Sequence, residues 1–507
     1  MNRRSDWNLT LFALGALALI VLLGKADEST LPASDAATHA ALAMSATAQG
    51  ILPHFPIGAD AFGGQWGKGY NDYPFAFFYL NGWIMRLFGP CAWSAKLLPS
   101  LFSTGTVLLT AILGMRWESR MAGVLAGLIL LFTRDFILDS VNCHLDNVLA
   151  FFILLSLLLW EKKRYLWAGV IAGVGTWFKS PVAFLIFPVL VFSSIVRQDL
   201  RQTAPRIARC VLLAVLVSFL VWIPPALLGG WELMRDYWVR QVWGTAIQGR
   251  GEQSLDLLAF FRILRGRYLP WTLPLIWGVY FTFRRRKWRS SAELTPYLGA
   301  AIVIAMISFV RYKHDHYFTP AYPFLSIIAA RPGAVLLARF ETALSTTLLT
   351  TALAIAVLLL CSPVSLSPES FPALKRFMAI IQSSGDCSER VLFVEGGEPY
   401  GSAKDYRNLI GFYTGRHLDD TECPAASDAA SKAETAWVLI SKENAEKCLS
   451  PAVRSAFPAS YSYGSQLLLS RRSRAGETLD LSPLGRELKA ATDCRPAPLP
   501  SDRYQGF

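Results

Sequence analysis

Charge is scarce in this chain. Only 17% of its 507 residues are Asp, Glu, Lys or Arg, where a soluble protein carries about a quarter. Histidine is scarcer still, with six residues. None of the six has zinc-finger spacing or an HExxH context. There is also no Walker motif, no GxGxxG after a strand, no GxSxG and no CxxC. Nucleotide hydrolysis, hydride transfer and serine-hydrolase chemistry therefore have no support. No internal repeat and no long low-complexity tract interrupts the chain.

What is abundant is apolar sequence, at 53% of residues. It comes in long runs, too long for the strands of a membrane barrel, and only a helix bundle buries that much backbone in lipid. Runs fall at 9–23, 93–115, 121–137, 143–160, 165–178, 181–196, 210–228, 268–283, 294–310, 317–330 and 341–361. Several are shorter than the roughly 17 residues a span needs. The expectation is about 11 to 13 spans, some of them short or broken. The net charge of +12 would suggest nucleic acid on a soluble protein. Here the basic clusters (Arg116/Arg120, 162–164, 197–209, 284–289 and Arg331/Arg339) sit between apolar runs and all fall on one side. That is the positive-inside pattern, and it argues for a membrane partner and no nucleic acid. Arg3 and Arg4 put the N-terminus in the cytoplasm, with 9–23 as an uncleaved first span. An odd span count leaves the C-terminus outside.

The domain reading follows. Residues 1–361 form an all-α polytopic membrane domain with outer loops at 25–92 and 229–266. Residues 362–507 form a small soluble α/β domain on the outer face. Strands are expected near 391–394, 437–440 and 461–470, and helices near 400–413 and 443–449. Of eight cysteines, Cys387, Cys423, Cys448 and Cys494 fall in this region. In an oxidising compartment they would make two disulfides, with three pairings open.

The first outer loop carries Asp27, Glu28, Asp35, Asp60 and Asp72. Residues 34–49 read as a helix capped by Ser34, with Asp35 in its first turn. Asp72 precedes an aromatic stretch, 74–88, that suits a helix in the membrane interface. Two carboxylates on an outer loop suit general-base work on an acceptor; a helix-start acid and a turn residue are the plainer readings. In RDFILDSVNCHLDN, Asp135, Asp139, Asn142 and Asp146 are spaced 4, 3 and 4, one stripe if the segment is a continuous helix. The alternative is a loop with only Asp146 in a helix. Lys179 could pair with Asp146, snorkel or meet a phosphate. Arg311, Lys313 and His316 gather donors that a phosphate ligand would suit, or serve as interfacial anchors.

These residues resemble the GT-C glycosyltransferases of the protein mannosyltransferase type, and within them the bacterial lipid A aminoarabinose transferases. Ser34-Asp35-Ala36-Ala37-Thr38-His39 stands where that family opens its first loop with an acidic motif. Tyr70-Asn71-Asp72-Tyr73-Pro74 stands at its Tyr-x-Glu-Lys-Pro-Pro. Leu145-Asp146 through Phe151-Phe152, Lys179-Ser180-Pro181 and Lys313 through Pro323 match further motifs. The departures are Ala36, Asp72 in place of Glu, and Tyr73 at a basic position. The resemblance covers about residues 8–330 and implies a multi-pass protein of a bacterial inner membrane with its C-terminal domain in the periplasm. It implies an inverting transfer from a polyprenyl-phosphate sugar to lipid A or another envelope glycolipid or protein. Asp35 would be the general base, or the group that orients the acceptor, and Asp72 would position the acceptor or a divalent metal, the only cofactor left open. Tyr70, Asp146, Lys179, Lys313, His316 and Tyr317 would serve the donor and its phosphate, and the Arg-rich 229–266 loop would help hold an anionic acceptor. A lipid transporter would put its polar residues at mid-membrane. A polysaccharide ligase would carry Arg and His in a large outer loop, as 229–266 partly does.

Overall fold

The computed structural model describes residues 3–24, 35–47, 73–141, 144–227, 234–235, 237–248, 258–284, 291–310, 314–337, 350–354, 356–358, 372–383, 389–394, 403–414, 416, 418–433, 435–463 and 466–471. Within them the chain forms two compact units. The first takes residues 1–26, 71–77 and 96–367, and the second takes 27–70, 78–95 and 368–507.

The helices in chain order are α1 (Arg3–Leu23), α2 (Asp35–Ala46), α3 (Ala76–Phe88), α4 (Ala92–Trp117), α5 (Arg120–Leu131), α6 (Arg134–Val141), α7 (Asp146–Glu161), α8 (Tyr165–Thr176), α9 (Ile186–Val196) and α10 (Leu200–Leu220). They continue with α11 (Ile223–Leu227), α12 (Ala259–Gly266), α13 (Thr272–Arg284), α14 (Ser291–Phe309) and α15 (Tyr322–Leu337). A 3-10 turn, Pro181–Leu185, leads into α9, and a second, Asp315–Ala321, leads into α15. A π-helical stretch, Tyr237–Gln248, lies in the expected second loop.

Among the described residues, three helical stretches are long and apolar enough to cross a membrane alone: Ala92–Trp117, Leu200–Leu220 and His316–Leu337. Four shorter apolar helices accompany them, Trp7–Leu23, Tyr165–Thr176, Pro181–Val196 and Glu293–Phe309. Their shortness agrees with the expected short spans. The expected span at 341–361 lies largely outside the described residues.

Three boundaries differ from the sequence reading. The run 121–137 is two helices, α5 and α6, bent by 64°. Asp135 sits in the first turn of α6, where the helix dipole favours a carboxylate. The span expected from 210 begins at Leu200, so much of the basic run 197–209 is helix; Arg and Gln are good helix formers. The carboxylate stripe is likewise not one helix. Asp135 and Asp139 ride on α6, and Asp146 opens α7.

Packing in the first unit follows membrane rules. Gly169 and Gly173 on α8 face Cys210 and Ala214 of α10, and a Cβ on either glycine would sit 2.5 or 2.6 Å from a backbone carbonyl there. This is a small-xxx-small contact that lets two backbones approach. At the ends of α5, α13, α14 and α15, Arg331 is buried and acts as a fastener. It binds the Glu118 carboxylate, the Glu293 carbonyl at 2.7 Å, Thr282 at 2.6 Å and the Tyr297 hydroxyl at 3.0 Å.

The second unit contains a five-stranded sheet in the order β2-β1-β3-β5-β4. Its strands are β1 (Arg390–Val394), β2 (Leu418–Thr421), β3 (Thr435–Ser441), β4 (Ala459–Tyr463) and β5 (Gln466–Ser470). β1 pairs in parallel with β2 and β3, and β5 pairs antiparallel with β3 and β4. The run expected as one strand at 461–470 is thus a hairpin. Tyr463 pairs with Gln466, and Gly464-Ser465 between them lie outside the described residues. Buried Arg416 lies 3.6 Å from Glu389, which also accepts from the Trp437 indole at 2.9 Å. Of the three disulfide pairings, the structure contains Cys423–Cys448. Cys387 and Cys494 lie outside the described residues.

Candidate active site

The site in the first unit is assembled where α6, α7, the turn after α8 and the 3-10 turn before α15 meet. Asp146 begins α7. A second side chain of that turn, Asn147, ties α7 to α6 by donating to Ser140 at 2.6 Å and to the Phe136 carbonyl at 3.2 Å. Lys179 lies in the turn after α8 and precedes Ser180-Pro181, where Ser180 caps the 3-10 turn and Pro181 starts it. The carbonyl of Lys179 accepts from the Tyr237 hydroxyl at 3.1 Å. Both flanks of the lysine are therefore fixed.

Its ammonium donates to Asp146 Oδ2 at 2.6 Å, and both side chains are buried. It also lies 5.0 Å from the Tyr317 ring centroid and 5.8 Å from that of Tyr73. Lys179 thus sits among a carboxylate and two aromatic faces. His316 Nε2 lies 3.9 Å from the same Asp146 oxygen. The His316 ring stacks on His314 at 5.1 Å and lies 4.9 Å from Tyr317. Asp146, Lys179, His316 and Tyr317, named from the sequence, come together here.

Sequence reasoning missed five neighbours: His144, Thr319, Tyr322, Arg267 and Tyr73. His144 contacts Asp139 Oδ1 at 2.9 Å, and the Thr319 hydroxyl donates to the other Asp139 oxygen. Tyr322 donates to Asp135 Oδ2 at 3.2 Å, and Arg267 lies 3.7 Å from that oxygen. Tyr73 was visible only as a departure from a motif, yet its ring faces the Lys179 ammonium. The signal that could have found His144 was present: it is two residues before Asp146 in the acidic segment already singled out.

Asp35 is the first residue of α2 in the second unit. Tyr70, Asp72 and Lys313 lie outside the described residues. Among the described residues, no group of three or more His, Cys, Asp or Glu is placed to hold a metal ion.

Within the second unit, α2 packs on α3 at Gly82. A Cβ on Gly82 would meet the Ala43 carbonyl at 2.2 Å and Thr47 at 2.8–2.9 Å. His39 of α2 lies 5.5 Å from the Phe78 ring of α3. The contact sets the axis on which Asp35 rides. Gly82→Val is expected to force α2 away from α3 and to destabilise by about 1–3 kcal/mol. Thermal melting and faster proteolysis within 35–95 would report it; an unchanged melting curve would show that α2 is not held at this point.

Residues 72–222 match a family described as dolichyl-phosphate-mannose-protein mannosyltransferase. No curated protein matches the sequence. Among solved structures, the fold is similar to ArnT from Cupriavidus metallidurans bound to undecaprenyl phosphate, with 16% identity and a TM-score of 0.63 over 92% of this chain and 98% of that one. The apo form of ArnT gives 0.65 at 16% identity over 94% and 100%. The Archaeoglobus fulgidus oligosaccharyltransferase AglB, in complex with an inhibitory peptide and a dolichol-phosphate, gives 0.50 at 14% identity over 93% and 74%. The fold is therefore the GT-C fold, as the sequence resemblance implied, carried by a polytopic membrane protein with a small C-terminal sheet domain.

Proposed function

We propose that this chain is a membrane glycosyltransferase that moves a sugar from a polyprenyl phosphate to an acceptor in the cell envelope. The observation that carries the reading is the whole-length likeness to ArnT, a structure that holds undecaprenyl phosphate. The site supports it chemically. Transfer leaves charge on a phosphate, and Lys179, His316 and Tyr317 gather donors beside one carboxylate. Lys313 and Tyr70 would complete the phosphate end.

In this reading Asp35 takes the acceptor's proton while the acceptor attacks the anomeric carbon from the face opposite the phosphate, inverting it. Asp72 holds the acceptor, with or without a divalent ion. Asp146 neutralises and aims Lys179. In the same reading the N-terminus is cytoplasmic and the sheet domain periplasmic. The Cys423–Cys448 disulfide supports that placement, because such bonds persist in oxidising compartments. The leading acceptor is lipid A, receiving an aminoarabinose-type sugar. A protein acceptor is the second reading, favoured by the description of the matching family.

Mass spectrometry of lipid A, envelope glycans and secreted proteins from cells with and without the protein tests this. A sugar mass lost from lipid A is the expected result. The same loss from proteins selects the second reading. No change in any of them overturns the enzyme assignment.

A further inference from the structure

One chain of contacts in the first unit is not used by the reading above. Asp139 is held on one oxygen by Thr319, 180 residues away in sequence, and on the other by His144. The side chains of His144 and Asp139 are only 15% and 8% exposed. A carboxylate at Nδ1 fixes the tautomer and the ring orientation, so proton exchange falls to Nε2. The His144 ring lies 4.4 Å from that of His316, at a tilt of 42°. His316 in turn approaches Asp146, the partner of Lys179. An oriented imidazole thus adjoins the cationic group assigned to the phosphate.

We infer that Asp139 and His144 form a carboxylate–imidazole dyad that serves the donor's phosphate, with His144 as a protonated ligand to it. The inference rests on the reading of the donor as a polyprenyl phosphate. In the transfer, the bond between the anomeric carbon and the phosphate oxygen breaks and its electron pair stays on that oxygen. The acceptor's bond to the same carbon forms, and the acceptor's proton goes to Asp35. The phosphate passes from a singly charged diester to a monoester with a second negative charge. The His144 imidazolium meets that charge by donating through Nε2, and Asp139 holds the ring for it.

Among the described residues, the charged and titratable groups linked to His144 through this chain of contacts include Asp139 and Asp135 on α6, Asp146 on α7, Lys179 after α8, His314 before the 3-10 turn, and His316 and Tyr317 on it. Arg267 reaches this set through Asp135. A variant confined to His144 or Asp139 separates the dyad from the rest.

The test is binding of undecaprenyl phosphate to the detergent-solubilised full chain, measured by native mass spectrometry or fluorescence from about pH 5.5 to about pH 9. The wild type is expected to lose affinity as pH rises and the imidazolium is lost, by about tenfold more than His144→Gln loses over the same interval. Asp139→Asn keeps the ring but removes the charge that favours its protonated form, so the loss moves to lower pH. A purely structural dyad would lower the melting temperature of both variants and leave the pH profile unchanged. Identical profiles in wild type, His144→Gln and Asp139→Asn therefore overturn the dyad alone. A wild-type chain that binds no undecaprenyl phosphate overturns the donor reading and the dyad with it. If His144→Gln does not fold, the shift in Asp139→Asn decides.

Discussion

Asp35→Asn is expected to lower sugar transfer by about 10²–10⁴-fold, with the protein present at its normal level in the membrane. Amide and carboxylate have the same shape, so α2 keeps its length and its contact with α3. What the variant loses is the ability to accept a proton. Asp35 opens α2, and a carboxylate in a first turn is stabilised by the helix dipole by about 0.3–1 kcal/mol. If that were its whole task, Asn would serve nearly as well, because it also caps helices. The two roles therefore separate cleanly. A helix-start role predicts a small loss of stability and unchanged transfer, and a base predicts unchanged stability and lost transfer. The readout is the mass of the modified acceptor in cells carrying each variant. Full modification in Asp35→Asn at normal expression would remove Asp35 from the mechanism. The companion Asp35→Glu should retain part of the activity, since it keeps the base and moves it by one methylene.

Much of this protein could be read from its sequence because lipid leaves few choices. Shortage of charge and long apolar runs specify a helix bundle. In that background a lysine such as Lys179 calls for a partner, and the nearby Asp146 supplies one. What could not be read depends on contacts between distant segments. Thr319 and Asp139 are 180 residues apart, and Arg331 and Glu118 are 213 apart. Arg331 looked like one more basic residue of an inner loop, yet it is buried among four helices. Local chemistry also misled. The segment Thr133-Arg134-Asp135 reads as continuous helix by composition, and only packing shows the 64° bend there. The hairpin of β4 and β5 was missed because only the short Gly464-Ser465 dipeptide divides the two segments in sequence. The residue positions of the site were therefore more legible than the geometry joining them.

The Asp146–Lys179 pair offers the second large effect, and a double variant resolves its two possible roles. The pair is buried, with a 2.6 Å contact between α7 and the turn after α8. Breaking such a pair from one side leaves an uncompensated buried charge and destabilises by about 3–5 kcal/mol. Lys179→Met and Asp146→Leu are each expected to melt at lower temperature and to lose transfer. Those single variants do not separate a fold effect from a phosphate effect. Replacing both partners does, because a buried pair exchanged for apolar residues of similar volume is often neutral or stabilising. The double variant Lys179→Met with Asp146→Leu is therefore expected to recover most of the melting temperature. If Lys179 serves the phosphate, transfer stays lost in this stable protein and undecaprenyl phosphate binds more weakly, because no cation remains at that point. If the pair only joins α7 to the turn, transfer returns with stability. Recovery of both would place the phosphate elsewhere, with His144, His316 and Lys313 as the remaining groups proposed to meet it. Loss of transfer at restored stability would fix Lys179 as the group around which the donor's phosphate is held.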